Sequence, residues 1–129
     1  MKIERGTRST TKGSAEWFTG DVYVDPVSLE GSGINSGWVH FTPGARTNWH
    51  THTLGQTIHV IEGVGRVQRE GGEIEEVRAG DTVFFEPGEN HWHGAAPDRF
   101  MSHIAIVRLP ESGTGTDWGH KVTDEDYGN

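Results

Sequence analysis

Cysteine is absent from the 129 residues, and with it go disulfides, thiolate metal sites and a cysteine nucleophile. No stretch approaches the roughly 18 consecutive apolar residues of a membrane span. Basic residues are few: Lys plus Arg is 11 against 19 for Asp plus Glu, a formal charge of −8. Nucleic acid and anionic membranes both require a basic face, so neither is expected as a partner. The stripe of 3.6-residue period that marks a long helix is missing too, because glycine, proline and asparagine recur too often. Hydrophobic residues make up 32%, and with 19 glycines added this suffices for one folded domain rich in turns. Met1 to Ser14 is polar and lacks the apolar core of a secretory signal; with the missing cysteine, this makes a cytoplasmic location the expectation.

What repeats instead is a short β-type run followed by a turn. Asp21 to Val24, Gly37 to Thr42, Thr57 to Ile61, Gly65 to Arg69, Glu73 to Val77, Asp81 to Phe85 and Ser102 to Arg108 form the series. Gly71-Gly72 between two of these runs reads as a two-residue hairpin turn with both residues at positive φ. Many short strands with Gly/Pro turns in one domain predict an antiparallel sandwich or barrel. Pro110 to Thr116 reads as a loop, and Thr123 to Tyr127 as an acidic tail or short capping turn; the aromatics of the C-terminal region, Trp118 and Tyr127, are expected to dock on the body.

Eight histidines in so short an acidic chain are the abundance that calls for a reason. His50 and His52 stand two apart, so on a strand both project from one face and can reach one metal ion. Alternation places Gln56 with Ile58 and Val60, and leaves His59 on the other side. His91 and His93, again two apart, follow a Pro87-Gly88 turn. On the run from Ser102 to Val107, His103 shares a face with Ala105 and Val107, whose small size leaves space for a pocket. Thr47 falls opposite His50 by simple alternation. His40, His59 and His120 read as packing or surface residues, Arg46 as a surface or interface ion-pair partner, and Trp49, Trp92, Phe84 and Phe85 as core or interface.

Gly44, His50, His52, Gln56 and Gly63, followed by Gly80, Pro87, Gly88 and His91, resemble the two paired motifs of the cupin superfamily, with glutamine where glutamate is usual. A closer resemblance, from about Trp17 to Tyr127, is to the manganese-dependent bacterial cupin hydroxynitrile lyases. It rests on Trp17-Phe18-Thr19-Gly20, Pro43 to Thr47, Trp49 to His52, Leu54 to Thr57, His91 to Pro97 and Val122 to Glu125. The resemblance implies a single-domain, all-β, cupin-type antiparallel β-barrel (jelly roll). Residues 1–16 form an N-terminal segment, 17–109 the barrel, and 110–129 a C-terminal loop and tail docked on it. It further implies metal ligands His50, His52, Gln56 and His91, with His93, His103 and Thr47 as catalytic groups. His93 moves the proton, and a bend after Gly44 turns Thr47 inward.

Four neutral donors leave the full +2 on a divalent ion, Mn first and Fe, Zn, Ni or Co as alternatives, which favours Lewis-acid chemistry. The implied reaction is reversible cleavage of cyanohydrins to an aldehyde or ketone and cyanide. The alternatives are a metal-dependent dioxygenase or other oxidoreductase, and a non-catalytic module for a small metabolite. The partner is a small molecule. The apolar outer face carrying Ile104 and Ile106 calls for cover from the N-terminal segment or a second subunit, so a homo-oligomer, dimer or tetramer, is expected.

Overall fold

β-branched and aromatic residues alternate with polar ones through the middle of the chain, and in the computed structural model those runs are strands. The structure describes residues 1–6 and 8–128. In chain order the strands are β1 (Thr11–Lys12), β2 (Phe18–Thr19), β3 (Val22–Pro26), β4 (Ile34–Phe41), β5 (Arg46–Thr47) and β6 (His50–His52). They continue with β7 (Gln56–Arg69), β8 (Glu75–Arg78), β9 (Thr82–Phe85), β10 (His91–Ala95), β11 (Met101–Arg108) and β12 (Thr116–Trp118). One short helical turn, α1 (Asp124–Tyr127), closes the described chain. Every pairing is antiparallel, and the strands curl into two facing leaves of a half-barrel. One leaf runs β1-β3-β4-β11-β7-β9; the other is built from β8, β7, β10, β5 and β2, with β6 joining β10 to β12. Among the described residues no helix is long and apolar enough to cross a membrane.

The two runs expected as separate strands, Thr57 to Ile61 and Gly65 to Arg69, are one strand of 14 residues that serves both leaves. Its first half pairs with β9 and β11 and its second half with β8 and β10. The bend between the halves falls at Gly63, which has φ of 81° and where a Cβ would sit 1.8 Å from the Phe100 carbonyl oxygen. Only glycine fits there. Across the bend the partner strand slips register between Ser102 and His103, so His103 pairs with Val60 while Ser102 pairs with Glu62.

The β7–β8 turn corrects the hairpin expectation. Only Gly71 has positive φ, and Val67 pairs with Glu75, so the connection is longer than two residues. Gln68 and Arg69, past the last β8 pair, remain paired with Trp92 and His91 on the other edge of β7.

Inward residues alternate along each strand as a half-buried sheet requires. Val22, Phe41, Ile58, Val60 and Met101 fill the interior between the leaves. Each such burial stabilises by about 1.5–3 kcal/mol. A second cluster lies outside the second leaf, where Trp92 packs against Val122 and Tyr127. Arg46, expected as a surface or interface ion-pair partner, does form an ion pair, with Asp124, but is buried beside this cluster. Its guanidinium donates to the Val122 carbonyl through Nε (3.2 Å) and Nη2 (2.6 Å), reaches the Asp124 carboxylate at 2.8 Å and lies 4.5 Å from the Tyr127 ring centroid. The C-terminal turn, capped by the Thr123 side chain accepting from the Asp126 N–H, brings these acceptors to the buried guanidinium.

Candidate metal centre

The two H-x-H pairs meet because β6 and β10 are neighbours, with His50 opposite His91. Nitrogen atoms of His50, His91 and His93 come within 4.8 Å of one another. His52 lies outside that group, although its ring centroid is 4.9 Å from that of His50 and 5.4 Å from that of His91. Gln56, the first residue of β7, places Oε1 3.2 Å from His91 Nε2. A cavity of about 360 Å³ opens between the leaves beside this cluster, and His50, His52, Gln56, His93, His103 and Thr47 line it. Gly37, Val39, Ala105 and Val107 form part of the wall, so the small residues beside His103 do leave space. His91 is fully buried, its ring stacked on Phe85 at 3.7 Å between centroids.

Hydrogen bonds on the far side of each ring set its tautomer. His50 Nδ1–H donates to the Asn48 carbonyl at 2.9 Å, and His91 Nδ1–H donates to the Glu89 carbonyl at 2.8 Å. A carbonyl only accepts, so in the neutral rings Nε2 carries the lone pair. His52 Nδ1 has the Thr116 hydroxyl 3.0 Å away, and its Nε2 is buried without a partner. His91 Nε2 therefore confronts the Gln56 amide oxygen with lone pairs on both atoms, an arrangement that a cation between them resolves. Two donors about 2.1 Å from one first-row ion, at right angles, stand about 3 Å apart. The residues fit a divalent metal.

Burial lowers the pKa of all five histidines of the site. It pushes His91 down to about 4 and His103 to about 3, from an ordinary 6.5. His50 and His93 are well below the usual value, first through burial and then through the neighbouring imidazoles, and burial lowers His52 as well. Neutral imidazole is the form that ligates.

His93 differs from the others. Its Nδ1 lies 2.9 Å from His103 Nε2, so the far side of its ring faces another imidazole rather than a fixed acceptor. One proton lies between these two nitrogens, and whichever ring owns it decides whether His93 Nε2, which has no partner, is a donor or an acceptor. Such a group is suited to proton transfer, even though His93 stands close enough to His50 and His91 to share an ion with them.

Thr47 corrects the alternation argument. β5 and β6 are separate strands, and the break at Asn48–Trp49 resets the alternation, so Thr47 and His50 line one cavity. Buried Asn48 holds the break, donating through Nδ2 to the carbonyls of Glu16 (2.9 Å) and Gly119 (3.0 Å). The Thr47 hydroxyl accepts from the His93 N–H at 3.2 Å. Sequence reasoning missed three contributors. β12 falls within and just beyond a segment read as a loop, yet it carries Thr116 to His52 and Trp118 over His50, 4.6 Å between centroids. Trp118 in turn stacks on Trp17 at 5.3 Å. Phe85, expected as core or interface, stacks on His91; its place two residues before Pro87, in the strand leading to His91, is the signal that marks it.

Residues 37–107 match the family described as the cupin domain. The chain is 50% identical to an (R)-mandelonitrile lyase of Granulicella tundricola, over 98% of each chain. It is similar to the crystal structure of a cupin-like protein from Thermotoga maritima (TM-score 0.86, 38% identity, 97% of this chain and 92% of that one). A cupin 2 conserved barrel domain protein from Rhodopseudomonas palustris, at 18% identity, shares the fold with a TM-score of 0.73 over 94% of this chain and 81% of that one.

Proposed function

Because this chain belongs to the cupin family, we propose that it is a metal-dependent lyase of hydroxynitrile lyase type, interconverting cyanohydrins with an aldehyde or ketone and cyanide. The observation that carries the reading is the convergence of Gln56 Oε1 and the histidine lone pairs on one cavity, in a chain related over its whole length to a mandelonitrile lyase. His50, His52, Gln56 and His91 would hold the ion, with Mn favoured over Fe, Zn, Ni or Co. A divalent ion there supplies Lewis acidity toward an alcohol or carbonyl oxygen.

The protein's own groups do the rest. His93 Nε2 takes the hydroxyl proton in the cleavage direction and returns it to cyanide. As it does so its Nδ1–H donates to His103 Nε2, which keeps the ring oriented and shares the charge. Thr47 holds the backbone of His93 in place and presents its hydroxyl to the same cavity. Thr116 fixes His52 with Nε2 turned inward. Val39, Ala105 and Val107 give the organic part of the substrate an apolar wall that excludes water.

The test is metal analysis of the purified protein together with mandelonitrile cleavage by chelator-treated and Mn-loaded samples. Cleavage that appears with Mn is expected; no cleavage in either form overturns the lyase reading. Oxygen uptake tied to turnover would instead favour an oxidoreductase. The expected homo-oligomer is supported by the outer face of the first leaf, where Phe84 and Ile106 are 53% and 38% exposed on strands flanking β7. Sedimentation of the full chain measures it, and a monomer at working concentration refutes it.

A further inference from the structure

Across the cavity from His50, His52 and His93, the wall is completed by Arg8, Pro26, Ser28 and Asn35. Among the described residues, Arg8 is the only lysine, arginine, aspartate or glutamate lining the cavity. Its Nη2 donates to the Ser28 carbonyl at 2.8 Å, which fixes the guanidinium at the end of β3, and its Nε stands 3.4 Å from the Glu4 carboxylate. The side chain is 38% exposed, and on its outer side it borders a shallow depression shared with Glu4, Gly6 and Pro26. Arg8 thus stands at the boundary between the cavity and solvent. A guanidinium has five N–H donors, and these two contacts leave others free. The pair with Glu4 is exposed and therefore weak enough to yield to a better acceptor.

We infer that the cavity takes aldehydes and alcohols carrying a carboxylate at the end remote from the reacting oxygen, and that Arg8 binds that carboxylate. The inference rests on the proposed lyase reading for the reacting end. A chain of net charge −8 repels small anions in general, so a single cationic side chain at the mouth, away from the histidines, selects among them at the point of entry. Arginine and carboxylate form short, charge-assisted, often paired hydrogen bonds, which also fix the orientation of the bound molecule. The volume of about 360 Å³ falls in the range of small-molecule sites and suits a substituted benzene ring.

The experiment compares 4-formylbenzoate with its neutral near-isostere 4-formylbenzamide, by calorimetric titration of the full chain with Mn and after chelation. The carboxylate is expected to bind about tenfold or more tightly, the scale of one charge-assisted bond. Arg8→Gln should bring the two probes to within about twofold, and Glu4→Gln, which frees the guanidinium, should widen the gap. Equal affinities in the unsubstituted protein overturn the inference. So does a preference that survives Arg8→Gln, or one present only with Mn, since the ion itself would then be the carboxylate site. Cyanide addition to the same aldehydes is read separately. A carboxylate preference without any addition removes the lyase reading and leaves the subsite standing, whereas addition without preference does the reverse.

Discussion

Lowering the pH of the metal-free protein should remove stability in a window set by its buried histidines. His91 titrates at about 4 and His103 at about 3 in the folded protein, against 6.5 in an open chain. The unfolded chain therefore binds protons that the folded one refuses, and stability rises with pH wherever that difference persists. It is fully present above about pH 7, declines as pH falls through 6.5, and stops declining on account of His91 near pH 4 and of His103 near pH 3. At about pH 5.5 each of these two residues has lost on the order of 1 kcal/mol, so the pair has lost about 2–3 kcal/mol. His50 and His93, also depressed by burial, act in the same direction. Such a loss is a large part of the total of about 5–15 kcal/mol typical of a domain. Urea unfolding midpoints of chelated protein from pH 8 to 4, at constant slope, measure it. Asp25, whose carboxyl is lowered by its hydrogen bonds to Thr10 and His40, acts mainly below the ordinary carboxylate value of 3.8, outside the range from pH 8 to 4. A midpoint that stays flat between pH 7 and 5 would refute the burial argument. Added Mn should shift the whole curve upward, because an ion that binds only the folded state stabilises by mass action.

Other substitutions test individual contacts. His93→Ala should leave metal content intact and lower mandelonitrile turnover by about 10²–10⁴; loss of the metal instead would make His93 a ligand. Thr116→Val should weaken metal affinity about 10–100-fold by releasing His52, and Thr116→Ser should restore it; a competition titration with a chromophoric chelator reads both. Arg46→Ala should destabilise by about 2–4 kcal/mol, since it strands the Val122 carbonyl and uncouples the C-terminal turn, and thermal unfolding checks this.

The features legible in the sequence were those governed by local periodicity. Two residues apart on a strand is the same face whatever surrounds it, so His50 with His52 and His91 with His93 could be paired before any fold was known. The small residues Ala105 and Val107 announced space beside His103 for the same reason. Thr47 could not be placed by counting back from His50, because the strand breaks at Asn48, and the break is held by carbonyls of Glu16 and Gly119, both distant in sequence. Arg46 looks like any surface cation until the chain returns with Val122 and Tyr127 some 76 residues later. β12 is three residues long and stands among glycines and threonines, so its strand character comes from its partner, β6, rather than from its own composition.

The lateness of β12 has a consequence for how the site comes into being. Thr116 meets His52 across 64 residues, and Trp118 lies over His50 from the same strand. During vectorial synthesis both histidine pairs precede the strand that orients them. Until β12 docks, His52 is free to rotate, and a nascent chain offers histidines without a geometry. In that state ions compete on intrinsic affinity alone, which favours the later first-row metals over manganese. Docking of the last strand would then set the geometry at which ions are discriminated, so the ion such a site retains would depend on whether loading precedes or follows it. Refolding the protein in mixed metals, compared with loading the folded chain, would yield different occupants from the same solution.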